Sequence, residues 1–301
     1  MEHKHETVDP ELVKEVGRAS YEALMKAKAM VKPGVRLLDV ADAAEGFLKE
    51  KGFGCAFPLN LSINEQAAHY TPSVEDETVF PDNALVKVDF GAAKEGVLGD
   101  CALTVDLSGK YGKLVESVDD ALKNAIAVVK AGVRVSDIGA EIEKTIEAAG
   151  FLPIKNLGGH EVAVHDLHSS TFIPNYDNGD DTVLEEGMTV AIEPFAVDGK
   201  KQAVYESDIC DIYSYNGATG VRNPDARKIL EEIDERYQSE PFAVRWLSMV
   251  VPAKFSLYLA IKELQRYEML QPYPTLVGYG MIAQAEAEVL VTADGCDVLT
   301  K

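Results

Sequence analysis

The first 53 residues carry apolar positions at helical spacing. Asp9-Pro10-Glu11 is typical of a helix start, because it combines an N-cap residue, proline at the first helical position and an acid in the first turn. The apolar residues that follow are Leu12, Val16, Ala19, Ala23 and Ala27. The pattern predicts one helix that ends at Pro33-Gly34 and a second from about Leu38 to Lys51.

The segment 31–53, VKPGVRLLDVADAAEGFLKEKGF, is repeated at 129–151 as VKAGVRVSDIGAEIEKTIEAAGF. A weaker repeat relates 79–90 to 183–194 and aligns Asp89 with Glu193. Two copies are too few for a solenoid. The repeat therefore predicts a domain with two pseudo-symmetric halves, each with two helices followed by strands.

Two β-type runs, Leu85–Phe90 and Val97–Val105, flank the glycine-containing stretch 91–96 and predict a hairpin. If the hairpin closes around Lys94–Glu95, Asp89 and Asp100 lie directly opposite each other on one face. Two buried carboxylates at that distance share a proton or hold a cation between them. Taken alone, the hairpin equally allows two solvent-facing aspartates.

The second half favours the buried site, because exposed acids have no reason to recur at symmetry-related strand ends. His69 and His168 occupy similar places in the two halves. Strand alternation places His160 and His168 on one face if no bulge intervenes, and directs His165 outwards. The segment 281–291, MIAQAEAEVLV, predicts one strand with Gln284, Glu286 and Glu288 on one face, and Glu286 as the counterpart of Asp100.

The candidate inner set contains four carboxylates and one imidazole, from Asp89, Asp100, His160, Glu193 and Glu286. A mainly oxygen site favours Mn²⁺, Fe²⁺ or Co²⁺, and Zn²⁺ also fits. Four negative charges neutralise two divalent ions, which together can hold a hydroxide nucleophile and polarise a carbonyl. His69 and His168 lie outside this set and suit stabilisation of an oxyanion and contact with the substrate.

Composition limits the partners and the location of the chain. Its net charge of −21 opposes binding to nucleic acid or to an anionic membrane. No apolar run is long enough to span a membrane, and the scattered cysteines fit a reducing compartment. We expect a soluble, cytoplasmic protein without a signal peptide, with His3 and His5 in a frayed N-terminal tail.

Several motifs together resemble the methionine aminopeptidases of metallopeptidase family M24, specifically the archaeal and eukaryotic type 2 branch. These motifs, which extend over nearly the whole chain, are AFPLNLSINEQAAHYTP at 56–72, VDFG at 88–91, GDCALTVDLSG at 99–109, GGH at 158–160, LHSSTFIPN at 167–175, AIEPFA at 191–196, PFAVRWL at 241–247 and GMIAQAE at 280–286.

The resemblance implies a pita-bread fold of the α/β (α+β) class, with residues 1–301 as one domain and a helical insertion at about 215–275. It implies removal of the initiator methionine from nascent chains with a small second residue. It also implies that the five residues of the inner set are the ligands of two divalent ions, that His69 and His168 act on the substrate, and that Phe57 and Phe195 line the methionine pocket. We expect a monomer, with the ribosome as a candidate partner.

Two departures from the family pattern leave two alternative functions open. The usual aromatic-Glu-His-Thr run at the last ligand is Ala285-Glu286-Ala287-Glu288 here, and Ser169-Ser170 replaces the usual Ala-Gly after His168. The alternatives are a non-catalytic binding homologue on the same fold and an Xaa-Pro peptidase such as a prolidase. The second normally carries a large extra N-terminal domain.

Overall fold

The computed structural model describes residues 9–217 and 220–301; His3 and His5 lie outside them. Its helices are α1 (Pro10–Met30), α2 (Leu37–Glu50), α3 (Gly112–Val128), α4 (Val135–Ala148), α5 (Pro224–Arg236) and α6 (Lys254–Arg266), with a 3-10 helix at Val244–Met249. The Asp9 side chain accepts the Glu11 N–H and caps α1, as the sequence predicts. None of these helices is both long and apolar enough to cross a membrane.

The strands form one large sheet and three small ones. In chain order the strands are β1 (Gly54–Ile63), β2 (Gln66–Ala68), β3 (Leu85–Lys94), β4 (Val97–Leu98), β5 (Cys101–Asp106), β6 (Leu152–Pro153), β7 (Gly158–Glu161), β8 (Phe172–Pro174), β9 (Thr189–Ile192), β10 (Phe195–Val197), β11 (Tyr205–Glu206), β12 (Ile212–Tyr215), β13 (Phe242–Ala243), β14 (Leu270–Pro272), β15 (Leu276–Val277), β16 (Ile282–Gln284), β17 (Glu286–Val291) and β18 (Cys296–Val298). The main sheet has the order β1-β3-β5-β17-β9-β7-β8, with β4 paired to β3 and β18 to β17.

The internal repeat of the sequence is also a repeat of backbone contacts. Arg36 forms an isolated antiparallel bridge with Val79, and Arg134 forms the same bridge with Val183. In both halves the arginine precedes a helix and pairs with the aspartate three residues later. The pairs α1/α2 and α3/α4 cover corresponding parts of the sheet, and each half has its own apolar cluster. The predicted two-fold relation of the halves is confirmed.

The predicted register of the first hairpin is wrong by two residues. The turn lies at Glu95-Gly96, where both residues have positive φ, of 53° and 81°. This places Lys94 opposite Val97 and Asp89 opposite Ala102. A two-residue hairpin turn of type I′ has positive φ at both central positions, and glycine provides it at the second without steric cost. Asp89 and Asp100 are therefore diagonal neighbours across the two strands.

The final segment is two strands rather than the single strand predicted. Ala285 separates β16, which pairs with β10, from β17, which pairs with β5 and β9. The Ala285 N–H donates to the carbonyl of Pro194, outside either ladder. Gln284 and Glu286 consequently come from two different sheets at the point where these sheets meet.

The segment predicted as a helical insertion carries α5, the 3-10 helix and α6 around a separate apolar cluster. A buried polar junction ties it to the first half. The Arg245 guanidinium forms an ion pair with Glu45 and donates to Thr71 Oγ1 at 2.7 Å, and the Trp246 indole donates to Glu45 Oε2 at 2.8 Å. The 3-10 helix is therefore held against α2 and against the segment that follows His69.

Candidate metal centre

Five neighbouring strands of the main sheet each bring one candidate ligand to the middle of the molecule. Asp89 lies in β3, Glu286 opens β17 and His160 lies in β7, while Asp100 immediately precedes β5 and Glu193 immediately follows β9. The strand order β3-β5-β17-β9-β7 makes these positions adjacent. Residues far apart in the chain thus converge because their strands pair side by side.

The ligand atoms form two overlapping groups, each with atoms within 4.8 Å of one another. One group is Asp100, His160 and Glu286, and the other is Asp89, Glu193 and Glu286. Glu286 belongs to both groups because β17 lies at the centre of the five strands. The geometry offers two cation positions that share one carboxylate.

The carboxylates of this cluster are buried close to one another, so their negative charges repel, and bound cations would relieve the repulsion. Burial raises the pKa of Asp89 to about 6. The pKa of Asp100 is raised well above its usual value, first by burial and then by the charges of Asp89 and Glu288. Burial and neighbouring carboxylates raise the pKa values of Glu193 and Glu286 in the same way. Divalent ions would offset this repulsion and favour the ionised forms.

The imidazole and an orphaned oxygen also fit a metal site. Burial lowers the pKa of His160 to about 3, so its ring is the neutral form that binds metals. Its Nε2 lies 3.6 Å from Asp100 Oδ2. Glu286 Oε2 is buried and has no hydrogen-bond partner among the described residues. The donor set and this unpaired oxygen suit divalent ions of the transition series.

Gln284 is a further member of the site that the sequence alone did not single out for a role. Its Nε2 donates to Asp89 Oδ2 and to Glu193 Oε2, both at 3.0 Å. Its side chain is fully buried. Both protons of the amide are thereby directed at candidate ligands, one from each half. The available sequence signal was its position on the same face as Glu286.

A cluster of aromatic rings borders the carboxylates. The ring centroids of Phe57 and His69 are 5.6 Å apart, and those of Phe57 and His168 are 5.9 Å apart. Tyr273, which the sequence analysis missed, meets Phe57 edge-on at 5.3 Å. His168 lies 4.5 Å from the His160 ring, so the cluster adjoins the candidate ligands directly. Tyr273 follows β14 of the insertion segment, and only the tertiary fold brings it here.

The backbone of His69 is in the left-handed region, with φ of 65°. The Asn60 side chain holds it there by accepting the His69 N–H at 2.6 Å. Burial and the proximity of His168 lower the pKa of His69 to about 4. His69 also lines a cavity of about 360 Å³ with Tyr273 and Leu276. Strain fixed by local hydrogen bonds is frequent at functional sites.

Two other candidates lie apart from the ring cluster. Phe195 is fully buried in a different apolar cluster, with Ile154, Val197 and Ile282. His165 lies in the turn between His160 and His168, half-exposed, with its Nδ1 3.7 Å from Glu240 Oε1. The outward direction predicted for His165 is confirmed, and it follows from this turn rather than from strand alternation.

The fold and the site together define a metallopeptidase, and comparison with known proteins agrees. The sequence profile of metallopeptidase family M24 matches residues 11–245. A methionine aminopeptidase of Archaeoglobus fulgidus is 42% identical over 289 residues, which cover 95% of this chain and 97% of the relative. The chain belongs to metallopeptidase family M24.

Solved structures confirm the fold class. A methionine aminopeptidase of Thermotoga maritima aligns with a TM-score of 0.71 at 24% identity, covering 99% of this chain and all of that one. The structure of a thermophilic Arx1 aligns with a TM-score of 0.83 at 16% identity, covering 97% and 91%. The mixed α/β architecture of two halves is the pita-bread fold of these proteins.

Proposed function

We propose that this chain is a methionine aminopeptidase, which hydrolyses the bond after the N-terminal methionine of nascent chains with a small second residue. The observation that carries the proposal is the convergence of Asp89, Asp100, His160, Glu193 and Glu286 on five adjacent strands. Full-length similarity to archaeal methionine aminopeptidases supports the substrate class.

The five converging residues would hold two divalent ions, and Glu286 is the carboxylate that both groups of ligand atoms share. Co²⁺, Mn²⁺, Fe²⁺ and Zn²⁺ all fit this donor set. Bound ions would supply an activated water as nucleophile and Lewis-acid polarisation of the scissile carbonyl. Gln284 would orient the carboxylates of Asp89 and Glu193 through its two N–H donors.

His69 and His168 would act on the substrate rather than on the metals. The two histidine rings lie beside Phe57 and Tyr273, and the His168 ring also adjoins the ring of His160. A neutral His69 can donate one hydrogen bond to an oxyanion that develops on the carbonyl, and His168 can do the same from beside His160. The wall formed by Phe57 and Tyr273 is apolar, as a thioether side chain requires. We also propose Phe195 as a residue of the methionine pocket, because it matches the family motif at 191–196.

The proposed function also has consequences for the domain organisation, the oligomeric state and the partners of the protein. We propose one catalytic domain over 1–301, with the segment 215–275 as an insertion, and a monomer that acts in the cytoplasm. The ribosome remains a candidate partner through its nascent chains. The net charge of −21 argues against independent binding to nucleic acid.

The second candidate function is a non-catalytic binding protein on the same fold. The observation that favours it is the altered run Ala285–Glu288, which places a second buried glutamate beside the last ligand. An Xaa-Pro peptidase is the remaining alternative. All three make different predictions for small peptide substrates.

The deciding experiment is release of free methionine from Met-Ala-Ser by the metal-free protein, with Mn²⁺, Co²⁺ or, under anaerobic conditions, Fe²⁺ added. Glu286→Gln is the matched control, since it keeps the shape of the side chain and removes the shared charge. Metal-dependent release that Glu286→Gln lacks supports the proposal. A folded protein that releases no methionine with any metal favours the binding-protein function, and cleavage of Xaa-Pro peptides instead favours the third.

A further inference from the structure

Glu288 is a buried carboxylate next to the candidate metal centre, and no ligand role accounts for it. Its side chain is 1% exposed. Alternation along β17 places it on the same face as Glu286. Its oxygens belong to neither group of candidate ligand atoms found among the described residues. A buried acid that is not a ligand has to be explained by what it contacts.

The contact is with the main chain of a ligand. Glu288 Oε2 accepts the backbone N–H of Asp100 at 3.2 Å. Asp100 and Gly99 lie between β4 and β5, outside both strands. The Gly99 N–H donates to Ala92, but the next amide of this link is held by the Glu288 side chain. Glu288 therefore joins β17 of one half to the ligand-bearing link of the other.

Glu288 is itself firmly held. Its backbone N–H donates to Thr300 Oγ1 at 3.0 Å, and its carbonyl accepts the Leu299 N–H at 2.9 Å. Leu299 in turn packs on α1, where a Cβ added at Gly17 would lie 2.7 Å from the Leu299 carbonyl oxygen. The C-terminal residues thus brace the strand that carries Glu288.

We infer that Glu288 is a positioning residue of the metal centre, which holds the main chain of Asp100 so that its carboxylate faces Glu286 and His160. This inference rests on the proposed metal centre. The Asp100 carboxylate itself is held only locally, by the backbone N–H of the adjacent Cys101 and by its approach to His160 at 3.6 Å, so its direction depends on where the main chain of this link lies. Partners of this kind fix the direction of a ligand and so the affinity and geometry of the site.

The test compares two variants of similar size. Glu288→Met fills the same space without a carboxylate acceptor, whereas Glu288→Gln keeps an amide oxygen that can accept the Asp100 N–H. The control is Glu232→Met, which makes the same change at a buried glutamate of α5, paired with Arg236 and outside the site. The probe is Co²⁺, with binding measured by calorimetry and coordination geometry by visible absorption.

We expect Glu288→Met to weaken Co²⁺ binding by about tenfold or more, the usual loss for a residue that orients a ligand. Its visible Co²⁺ bands should also change, a signature that simple loss of stability would not produce. Glu288→Gln should restore both the affinity and the spectrum, and Glu232→Met should leave both as in the wild type.

Two results overturn the inference. Wild-type binding and spectrum in Glu288→Met would mean that the contact to Asp100 does not position it. Equal losses in Glu288→Gln and Glu288→Met would mean that charge, and not the hydrogen bond, is what matters. A wild-type protein that binds no Co²⁺ refutes the metal centre and this inference together. One that binds Co²⁺ normally but releases no methionine refutes only the peptidase function.

Discussion

Asp89 and Glu193, which occupy equivalent positions in the two halves, accept hydrogen bonds from one nitrogen, the Nε2 of Gln284. Each distance is 3.0 Å. The residue that donates to both of these pseudo-symmetric carboxylates lies outside the repeated segments of the sequence. One amide thus contacts two candidate ligands, one from each half.

We expect Gln284→Ala to reduce methionine release and metal affinity by roughly 10–100-fold, because both carboxylates lose their shared donor. Metal content after dialysis and the rate with Met-Ala-Ser measure the two effects. Gln265→Ala, in α6, is the control and should behave as the wild type. Full activity in Gln284→Ala would show that the carboxylates keep their orientation without the amide.

Asp100→Asn should bring methionine release to the background rate. The change keeps the size of the side chain but removes a charge from the group formed by Asp100, His160 and Glu286. Metal content, measured by mass spectrometry, should fall as well. Asp82→Asn, at an exposed aspartate, is the control. If Asp100→Asn retained most of the turnover, Asp100 would not be a ligand of a shared site.

His168→Ala should lower kcat by about 10²-fold with unchanged metal content, the loss typical of a donor to an oxyanion. Its ring lies 4.5 Å from the ring of His160, close enough to reach a substrate held at the cations. The control is His165→Ala, in the same turn but directed outwards. Loss of bound metal in His168→Ala would make His168 a ligand instead.

His69 should make the metal-free protein less stable in acid. Its pKa is about 4 when folded and near 6.5 in the unfolded chain, so between these values only the unfolded state binds the proton. The stability that His69 contributes is therefore present above pH 6.5 and lost as the pH falls towards 4. The size of the loss is about 1–3 kcal/mol.

Thermal unfolding of the wild type and of His69→Asn between pH 7.5 and pH 4.5 measures this loss of stability. The wild type should lose more stability than His69→Asn on acidification, because only the wild type carries this proton-binding group. Parallel pH dependence in the two proteins would mean that the folded His69 titrates as in the unfolded chain.

The junction between the insertion segment and the first half should lose stability when the positive charge of Arg245 is removed. Arg245→Met leaves the Glu45 carboxylate buried without its cation and should cost about 3–5 kcal/mol of unfolding free energy. The double variant Glu45→Gln, Arg245→Met should recover much of this loss. Urea unfolding followed by the fluorescence of Trp246, the single tryptophan, reports on this place directly. Equal stability of Arg245→Met and wild type would contradict the prediction.

The sequence identified the five candidate ligands, because carboxylates recurred at matching positions of a repeat and a histidine lay in a glycine-rich stretch. It misplaced the register of the first hairpin, since the closing turn depends on positive φ at Glu95 and Gly96. The sequence also predicted β16 and β17 as one strand, because the alternation of polar and apolar residues continues through Ala285. The hydrogen bonds, however, change from one sheet to the other at this residue.

The chain by itself determined the two halves, their helices and the type of chemistry, since these follow from local periodicity, repetition and the donor atoms of side chains. Tertiary structure alone decided which atoms meet. Strand order placed Glu286 between both groups of ligands, Gln284 between Asp89 and Glu193, and Tyr273 beside Phe57. Such contacts join residues far apart in the chain, and no local pattern encodes their pairing.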